Sequence, residues 1–346
     1  MRRMKVAAVM SVAALALAGC SSTTTSTPAA SGSSSAATAI KIGMAYDVGG
    51  RGDQSFNDAA AAGLDKAKAE LGVVTKEATA VNGEAESSRE ERLQQLIDAG
   101  YTNVVAVGFA YAPAVKKIAA ANPKAKIALI DSTDATGPNI ENLTFAEQQG
   151  SYLVGAAAAL KSKTGNIGFI GGVNTDLIKK FEAGYQAGAK AVNPAIKIQV
   201  KYLTQPPDFS GFGDPAKGKT AAEGMYQQGA DVIYAAAGGS GGGLFTAAAA
   251  AKKMAIGVDS DQALTAPAAA KPFIITSMLK KVDIATFDFI KSISEGKFVA
   301  GTKVYDLKVG GVGYSTTGGK VDDIKAKLDG YKQQIIDGKI VVPTKP

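Results

Sequence analysis

A short apolar run that ends in a carboxylate, passes through a glycine cluster and reopens as a helix constrains this chain more than any other stretch. It is Lys41 to Asn57, KIGMAYDVGGRGDQSFN. Ile42, Met44 and Tyr46 flank small residues in the pattern of a strand, and Asp47 closes the run. Gly49, Gly50 and Gly52 then permit backbone conformations closed to residues with a Cβ, so the loop can fold tightly over a small molecule. Ser55 followed three residues later by Asp58 forms a capping-box pattern, with Phe56 and Asn57 in the first helical turn. Ligands of open parallel α/β sheets bind in the crevice at the carboxyl ends of the strands, which is where Asp47 to Asn57 fall. Phe56 also heads the stripe Phe56, Ala60, Leu64, Ala67 and Leu71, which gives it a plain core role beside the ligand-facing one.

The alternation of strand-like and helix-like segments continues to the C-terminus and predicts βαβ units with mostly parallel sheets. A helix over about 55–72 leads to a strand over 73–78. Ser88 with Glu91 can cap the next helix, which carries Leu93, Leu96 and Ile97 and which Gly100 is placed to stop. Strands follow at 103–107 and 126–130, the second ending at Asp131. Residues 143–145 form a short segment that crosses between domains, before an alanine-rich helix over 148–161. Further strands are expected at 166–170, 196–203 and 231–237, with helices at 175–192 and 215–229. The strand at 231–237 runs into Gly238-Gly239-Ser240-Gly241-Gly242-Gly243 and another alanine-rich helix. Residues 255–258 end at Asp259, 273–277 lead to Lys280, and a helix occupies 282–295. Strands at 303–307 and 312–314 and a helix over 321–337 complete the chain.

The first twenty residues settle the compartment. Arg2, Arg3 and Lys5 precede an apolar core from Val6 to Ala18, and Leu17-Ala18-Gly19-Cys20 ends it, the pattern of a lipoprotein signal peptide cleaved before a lipidated cysteine. Residues 20–39 are almost wholly Ser, Thr, Ala, Pro and Gly beyond Cys20, a composition suited to a tether. The expected location is the extracytoplasmic face of the cell membrane, held by lipid. Cys20 is the single cysteine, so disulfide and thiol-zinc chemistry is excluded, and no histidine occurs, which removes Ser-His-Asp and Cys-His catalysis. The formal charge of +7 falls to +4 once the three basic residues of the leader are gone, and the remaining lysines are scattered, so no nucleic-acid partner is expected.

Several motifs resolve to nothing. The turn at 238–243 lacks the Gly-Lys-Ser/Thr of a phosphate-binding loop and the spacing of a dinucleotide fingerprint. Gly211-x-Gly213-x-x-Ala216 has that spacing but follows a loop rather than a strand. Arg51-Gly52-Asp53 is a coincidental adhesion tripeptide, and Asp259-Ser260-Asp261 lacks the further oxygens of a calcium loop. No metal or cofactor is called for.

Asp47-Val48-Gly49-Gly50 with Asp53 and Ser55-Phe56-Asn57 resembles the opening motif of the basic membrane protein family, the purine nucleoside receptor lipoproteins that serve ABC importers. Phe145-Ala-Glu147, Gly150-Ser-Tyr-Leu-Val-Gly155, Gly168-Phe-Ile-Gly-Gly172 and Phe181-Glu-Ala-Gly-Tyr-Gln-Ala-Gly188 fall in the family's order. So do Gly229-Ala-Asp-Val-Ile-Tyr234, the glycine turn, Gly257-Val-Asp-Ser-Asp-Gln262 and Thr276-Ser-Met-Leu-Lys280, so the similarity runs from about Lys41 onward. Ala61 stands where members often carry an aromatic, and Gln149 where an acid is common.

The resemblance implies a type I periplasmic-binding-protein fold, in which two Rossmann-like parallel-sheet domains close about a hinge. Its topology assigns 40–145 plus 277–300 to an N-terminal lobe and 146–276 plus 301–346 to a C-terminal lobe. It implies a monomeric, non-enzymatic receptor that binds a purine nucleoside and meets the permease and ATPase subunits of an importer. Phe56 and Phe212 would stack on the base, with Phe209 the alternative second ring, and Asn57 and Asp131 would meet its edge. Asp259 would hold ribose hydroxyls, with Gly238 and Lys280 nearby. Asp47 would order the loop or touch the ligand, and Asp53 would bond its own glycine loop. A sugar or another heterocycle such as a flavin, or a signalling role without transport, are the competing readings.

Overall fold

The computed structural model describes residues 39–346; the leader, Cys20 and the tether through residue 38 lie outside the described residues. The chain enters through β1 (Lys41–Tyr46), α1 (Phe56–Leu71), β2 (Val74–Thr79), α2 (Glu86–Asp98), β3 (Asn103–Ala106), α3 (Ala112–Ala121), β4 (Lys126–Ile130) and β5 (Ile140–Phe145). It continues through α4 (Glu147–Lys161), β6 (Asn166–Val173), α5 (Asp176–Val192), β7 (Lys197–Thr204), α6 (Pro215–Gln227), β8 (Val232–Ala236), α7 (Gly241–Ala251), β9 (Met254–Asp259), α8 (Gln262–Thr265) and β10 (Ile274–Lys280). The last elements are α9 (Val282–Ser294), β11 (Gly301–Tyr305), β12 (Val312–Tyr314) and α10 (Lys325–Ile336).

These strands build two six-stranded sheets, ordered β11-β5-β4-β3-β1-β2 and β12-β10-β9-β8-β6-β7. Every pairing is parallel except β10 with β12. Central strands such as β4 and β8 are apolar and covered on both faces, as parallel sheets require, whereas the edge strand β2 is largely exposed and the edge strand β7 half-buried. Helices α1 and α9 cover one face of the first sheet and α2 and α3 the other; α4 and α5 cover one face of the second sheet, α6 and α7 the other.

The two sheets are the same construction built twice. In each, the strand order places the second strand outermost, the first beside it, then the third, fourth and fifth. The chain passes between them after β5, after β10 and after β11, so the strands of the third passage and its return exchange sheets. The expected lobes divided the chain at 277 and 300. Strand pairing instead places β10 wholly in the second sheet, beside β9, and β11 in the first, where Gly301 to Tyr305 pair with Glu141 to Phe145. Nothing in a short strand's own residues states its partner, which accounts for the difference. Likewise residues 143–145 belong to a full edge-side strand of the first sheet, and the crossing itself is Ala146. Gln149 ties the crossings together, since its Oε1 accepts the Leu307 N–H at 2.9 Å.

Helix α2 begins at Glu86 rather than at a Ser88 cap, with Ala85 preceding it. Glu84 takes the organising role there, accepting the Val81 N–H at 2.8 Å and pairing with Arg92 at 2.5 Å.

Helices α4 and α5 approach so closely that side chains are excluded. A Cβ at Gly155 would collide with the Tyr185 carbonyl oxygen, one at Gly184 with that of Gln148, and one at Gly188 with that of Tyr152. The glycine spacing in Gly184 and Gly188, four apart, keeps both on the same helix face. Gly188→Ala is expected to destabilise the protein by roughly 1–3 kcal/mol through overpacking. Gly224→Ala on α6, where an added Cβ meets nothing within 4 Å, is expected to stabilise by about 0.5–1 kcal/mol. Urea unfolding at unchanged m-value distinguishes them; equal effects would contradict this account of the helix crossing.

Candidate functional site

The carboxyl ends of both sheets face one cavity between the lobes, with about 550 Å³ of space free of protein atoms, part of it open to solvent. Its walls include Asp47, Phe56, Asn57 and Asp131 from the first lobe and Phe212, Gly238, Asp259 and Lys280 from the second, so the residues singled out in the sequence all border it. The remaining lining is mostly apolar: Val48, Phe109, Leu177, Ile178, Phe181, Ala236 and Val258.

The duplicated construction explains how these side chains meet. Asp131 follows β4 and Asp259 ends β9, the fourth strand of each sheet, and both adopt left-handed backbone angles, with φ of 69° and 62°. A non-glycine residue in that region is uncommon and costs on the order of 1 kcal/mol or more, although aspartate tolerates it better than most. The strained turn swings both carboxylates off the strand axis into the cleft. Gly108 after β3 and Gly238 after β8 are a second equivalent pair, each with positive φ. A third is the N-terminal part of α1, with Phe56, and that of α5, with Leu177 and Phe181.

The first loop is held by Asp53. Its carboxylate accepts from the backbone N–H of Ser55 at 2.8 Å, Asn57 at 2.9 Å and Asp58 at 3.1 Å, and from Asn57 Nδ2 at 3.0 Å. It therefore caps α1, in place of the expected Ser55 box. Asp58 bonds the Gly52 and Gln54 N–H groups instead. Ser55 is released to donate its hydroxyl to Asp259 Oδ2 across the cleft at 2.7 Å. Asn57 is fully engaged: Oδ1 accepts the Asp47 N–H at 3.1 Å, and Nδ2 donates to the Val48 carbonyl at 3.3 Å as well as to Asp53.

Lys280 is the cation of the site. Only 2 % exposed, its Nζ lies 2.6 Å from Asp131 Oδ2 and 3.3 Å from Glu147 Oε1, with the rings of Phe145, Phe56 and Phe181 at 5.0, 5.1 and 5.5 Å. Burial pushes the lysine down, but Asp131, Glu147 and Asp259 together hold it well above the usual range. Burial lifts the carboxyls of Asp47 and Asp131 to about 6 and that of Asp259 to about 7, each against weaker opposing contacts. Asp131 Oδ1 is buried with no hydrogen-bond partner among the described residues.

At the mouth, Phe109 of the first lobe meets Phe209 of the second edge-on, with centroids 5.8 Å apart. Phe209 does not border the cavity, whereas Phe212 does. Sequence reasoning missed Leu177, Ile178 and Phe181, although Phe181 opens a motif it had noted. Applying to residues 166–181 the logic used for 41–57 would have found them, because α5 follows β6 as α1 follows β1.

Such a cleft, shut by facing lobes around an apolar space with a few charged groups, is that of a two-lobed solute-binding protein. The chain belongs to the Bmp family, described as ABC transporter substrate-binding protein PnrA-like, which it matches over residues 40–345. It is thus a substrate-binding component of an ABC transporter, a class that binds a ligand and works with a permease and an ATPase, and not an enzyme. It is 36% identical over 327 residues to the ABC transporter nucleoside-binding protein BmpA of Lactococcus lactis, covering 89% of this chain and 90% of that one. It is 35% identical over 291 residues to a lipoprotein of Pyrococcus abyssi, covering 80% of this chain and 69% of that one. Among solved structures, an ABC transporter solute-binding protein from Aeropyrum pernix superposes with a TM-score of 0.76 at 32% identity, covering 88% of this chain and 94% of that one. No described helix is long and apolar enough to cross a membrane.

A carboxyl whose pKa is raised by folding stabilises the protein below its unfolded value and loses that contribution as pH rises through the folded value. Asp47, Asp131 and Asp259 therefore all weaken the ligand-free fold between about pH 4 and 7, and no histidine titrates in that window. Stability by urea unfolding is expected to decline over this range, and Asp259→Asn to flatten the decline. A stability that rises from pH 4.5 to 7.5 would refute the assignment.

Proposed function

We propose that this chain is the lipid-anchored receptor of an importer and takes a purine nucleoside into the interlobe cleft. Phe56 and Phe212 stack on the two faces of the base. Asp131 meets the base edge, and its unpartnered buried oxygen Oδ1 is the observation that carries the proposal: a desolvated carboxylate oxygen calls for a ligand N–H or O–H. Asp259 and Lys280 take the ribose hydroxyls, with Gly238 lending backbone close by and Asp47 reached from the first loop. Asn57, whose amide is already engaged, orders that loop and presents only its flank to the base edge.

Several observations support this reading. The lining combines aromatic rings with a few acceptors, as a flat heterocycle bearing a polyol requires. A relative with 36% identity is named as nucleoside-binding. The leader ending in Leu17-Ala18-Gly19-Cys20 supports anchorage through Cys20, and a lipoprotein relative agrees with it. Four carboxylates, Asp47, Asp53, Asp131 and Asp259, against one lysine at the cavity also disfavour phosphorylated ligands.

Calorimetry on the refolded, tetherless protein should give saturable binding of adenosine, guanosine or inosine at about micromolar or tighter. Phe56→Ala is expected to cost about 1–3 kcal/mol of that affinity, and Asp259→Ala a comparable loss of about 1.5–3 kcal/mol confined to ligands with ribose. Because Asp259 must be ionised to accept two hydroxyls, affinity should fall as pH drops below 7, and Asp259→Asn should move the onset of that fall down to about pH 6, where Asp131 titrates. Binding of a sugar or flavin with no response to nucleosides would overturn the ligand assignment.

A further inference from the structure

We propose that Glu147, which does not border the cavity, is the positioning residue for Lys280: it holds and aims the ammonium within the second lobe, so that Asp131 of the first lobe can capture it when the cleft shuts. The proposal rests on the reading of the cleft as a nucleoside site, and it adds a residue that governs affinity without touching ligand.

Lys280 ends β10 in the second sheet, and Glu147 opens α4, which packs against β10. Both belong to one lobe and move together. Asp131 follows β4 in the first sheet, so the 2.6 Å contact between Lys280 and Asp131 bridges the cleft, whereas the 3.3 Å contact with Glu147 does not. The two carboxylates therefore play unequal parts. Parting the lobes removes Asp131 from the ammonium and leaves Glu147 beside it.

The surroundings give Glu147 this task. Lys280 stands among three phenyl rings, which attract a cation through their faces but accept no proper hydrogen bond. Phe56 and Phe145 leave with Asp131 when the lobes part, so the open second lobe keeps Phe181 and Glu147 beside the ammonium, and without a nearby anion a lysine still partly desolvated there releases its proton more readily. The charged groups facing it are Asp131 after β4, Glu147 on α4 and Asp259 at the end of β9; Lys180 on α5 stands behind Glu147, 3.4 Å from its Oε2. Asp259 in turn holds Ser55 and faces the ligand, which leaves Glu147 as the counter-ion with no cavity duty. Its oxygen Oε1 is buried and makes no hydrogen bond, so it acts on Lys280 as a charge at close range rather than as a fixed acceptor. A carboxylate in the first turn of α4 is also favoured by the positive end of the helix dipole.

The test compares wild type with Glu147→Gln and Glu147→Asp. Adenosine binding is measured by calorimetry from pH 8 to 9.5, a window in which its base does not titrate and Asp259, at about 7, is already ionised. Wild type should bind with nearly constant affinity. Glu147→Gln should bind about tenfold or more weakly and lose further affinity as pH rises, because its Lys280 deprotonates in the open lobe. Glu147→Asp should restore part of both. Unchanged affinity, or a weakening that is flat with pH, would overturn the proposal, the latter because it marks damaged packing alone. Competitive acetylation without ligand, read by peptide mass spectrometry at pH 8, provides a second arm. Lys280 in Glu147→Gln should label several-fold more than in wild type, with surface Lys303 as the reference; equal labelling would overturn the proposal. If wild type binds no nucleoside, the functional reading fails while the labelling arm still decides the role of Glu147. If Glu147→Gln does not fold, Glu147→Asp carries the same comparison, with an intermediate shift expected and none overturning.

Discussion

A single ammonium set among carboxylates and phenyl rings at the junction of two lobes is the constraint on which the rest of the structure depends. An unpaired charge moved into protein costs several kcal/mol even after relaxation. Lys280 offsets this with Asp131 at 2.6 Å and Glu147 at 3.3 Å, and the arrangement is complete only with the lobes together. The carboxylates in turn need the lysine. Asp131 and Asp259 are lifted toward neutrality by burial, and each is pulled back chiefly by Lys280. Closure and the charge state of the site are thus one equilibrium. The strands that carry these groups are fixed by apolar packing on both sheet faces, so little can shift to relieve a mismatch.

Duplication is what makes so small a number of polar residues sufficient. A parallel sheet with helices on both faces exposes its strand ends at one edge, and two such sheets set edge to edge give two sets of strand-end loops facing the same space. Equivalent strands then deliver equivalent groups: Asp131 and Asp259, Gly108 and Gly238, the α1 and α5 helix starts. Gly238 shows why the small residue is required, since a Cβ there would press on the Phe212 carbonyl oxygen at 2.9 Å and on the loop that carries its ring. The copies are not interchangeable, however. The first loop carries Asp53 and Asn57 and is tied by its own hydrogen bonds, whereas the second contributes apolar Leu177, Ile178 and Phe181.

The parts of this that were legible in the sequence are those fixed by local rules. Asp47, Asp131 and Asp259 end apolar strands, and in parallel sheets a strand's carboxyl end points to the crevice, so their convergence follows from their positions. The strand and helix segments were legible for the same reason, since burial on both faces makes parallel strands continuous apolar runs. What was not legible depends on groups distant in sequence. Ser55 looks like a helix cap until Asp259, 204 residues away, offers a charged acceptor for its hydroxyl, and Asp53 then takes the cap. Asn57 looks free to read a ligand until the Val48 carbonyl and Asp47 N–H claim it. The exchange of β10 and β11 between sheets is of the same kind, because β pairing is decided by which strands meet and not by the strand's own residues.

The contacts across the cleft are of a strength suited to a receptor that must both hold and release. Ser55 donates to Asp259, Ser260 donates to the Ser55 carbonyl at 3.0 Å, and Gln262 donates to the Gln54 carbonyl at 3.0 Å. A hydrogen bond exchanged for water contributes only about 0.5–1.5 kcal/mol net, and a charge-assisted one about 1.5–3 kcal/mol. A few such bonds with one ion pair can populate a closed form but cannot lock it against the solvation regained on opening. A ligand shifts the equilibrium only by its differential affinity for the closed form, and groups reached from both lobes supply that difference. Asp131 and Asp259 lie on opposite lobes and border the same cavity, so a ligand that meets both adds its binding energy to the closed state alone. The weak latch is therefore a requirement of the mechanism: stronger interlobe bonds would close the cleft without cargo, and a transporter could not then tell a loaded receptor from an empty one.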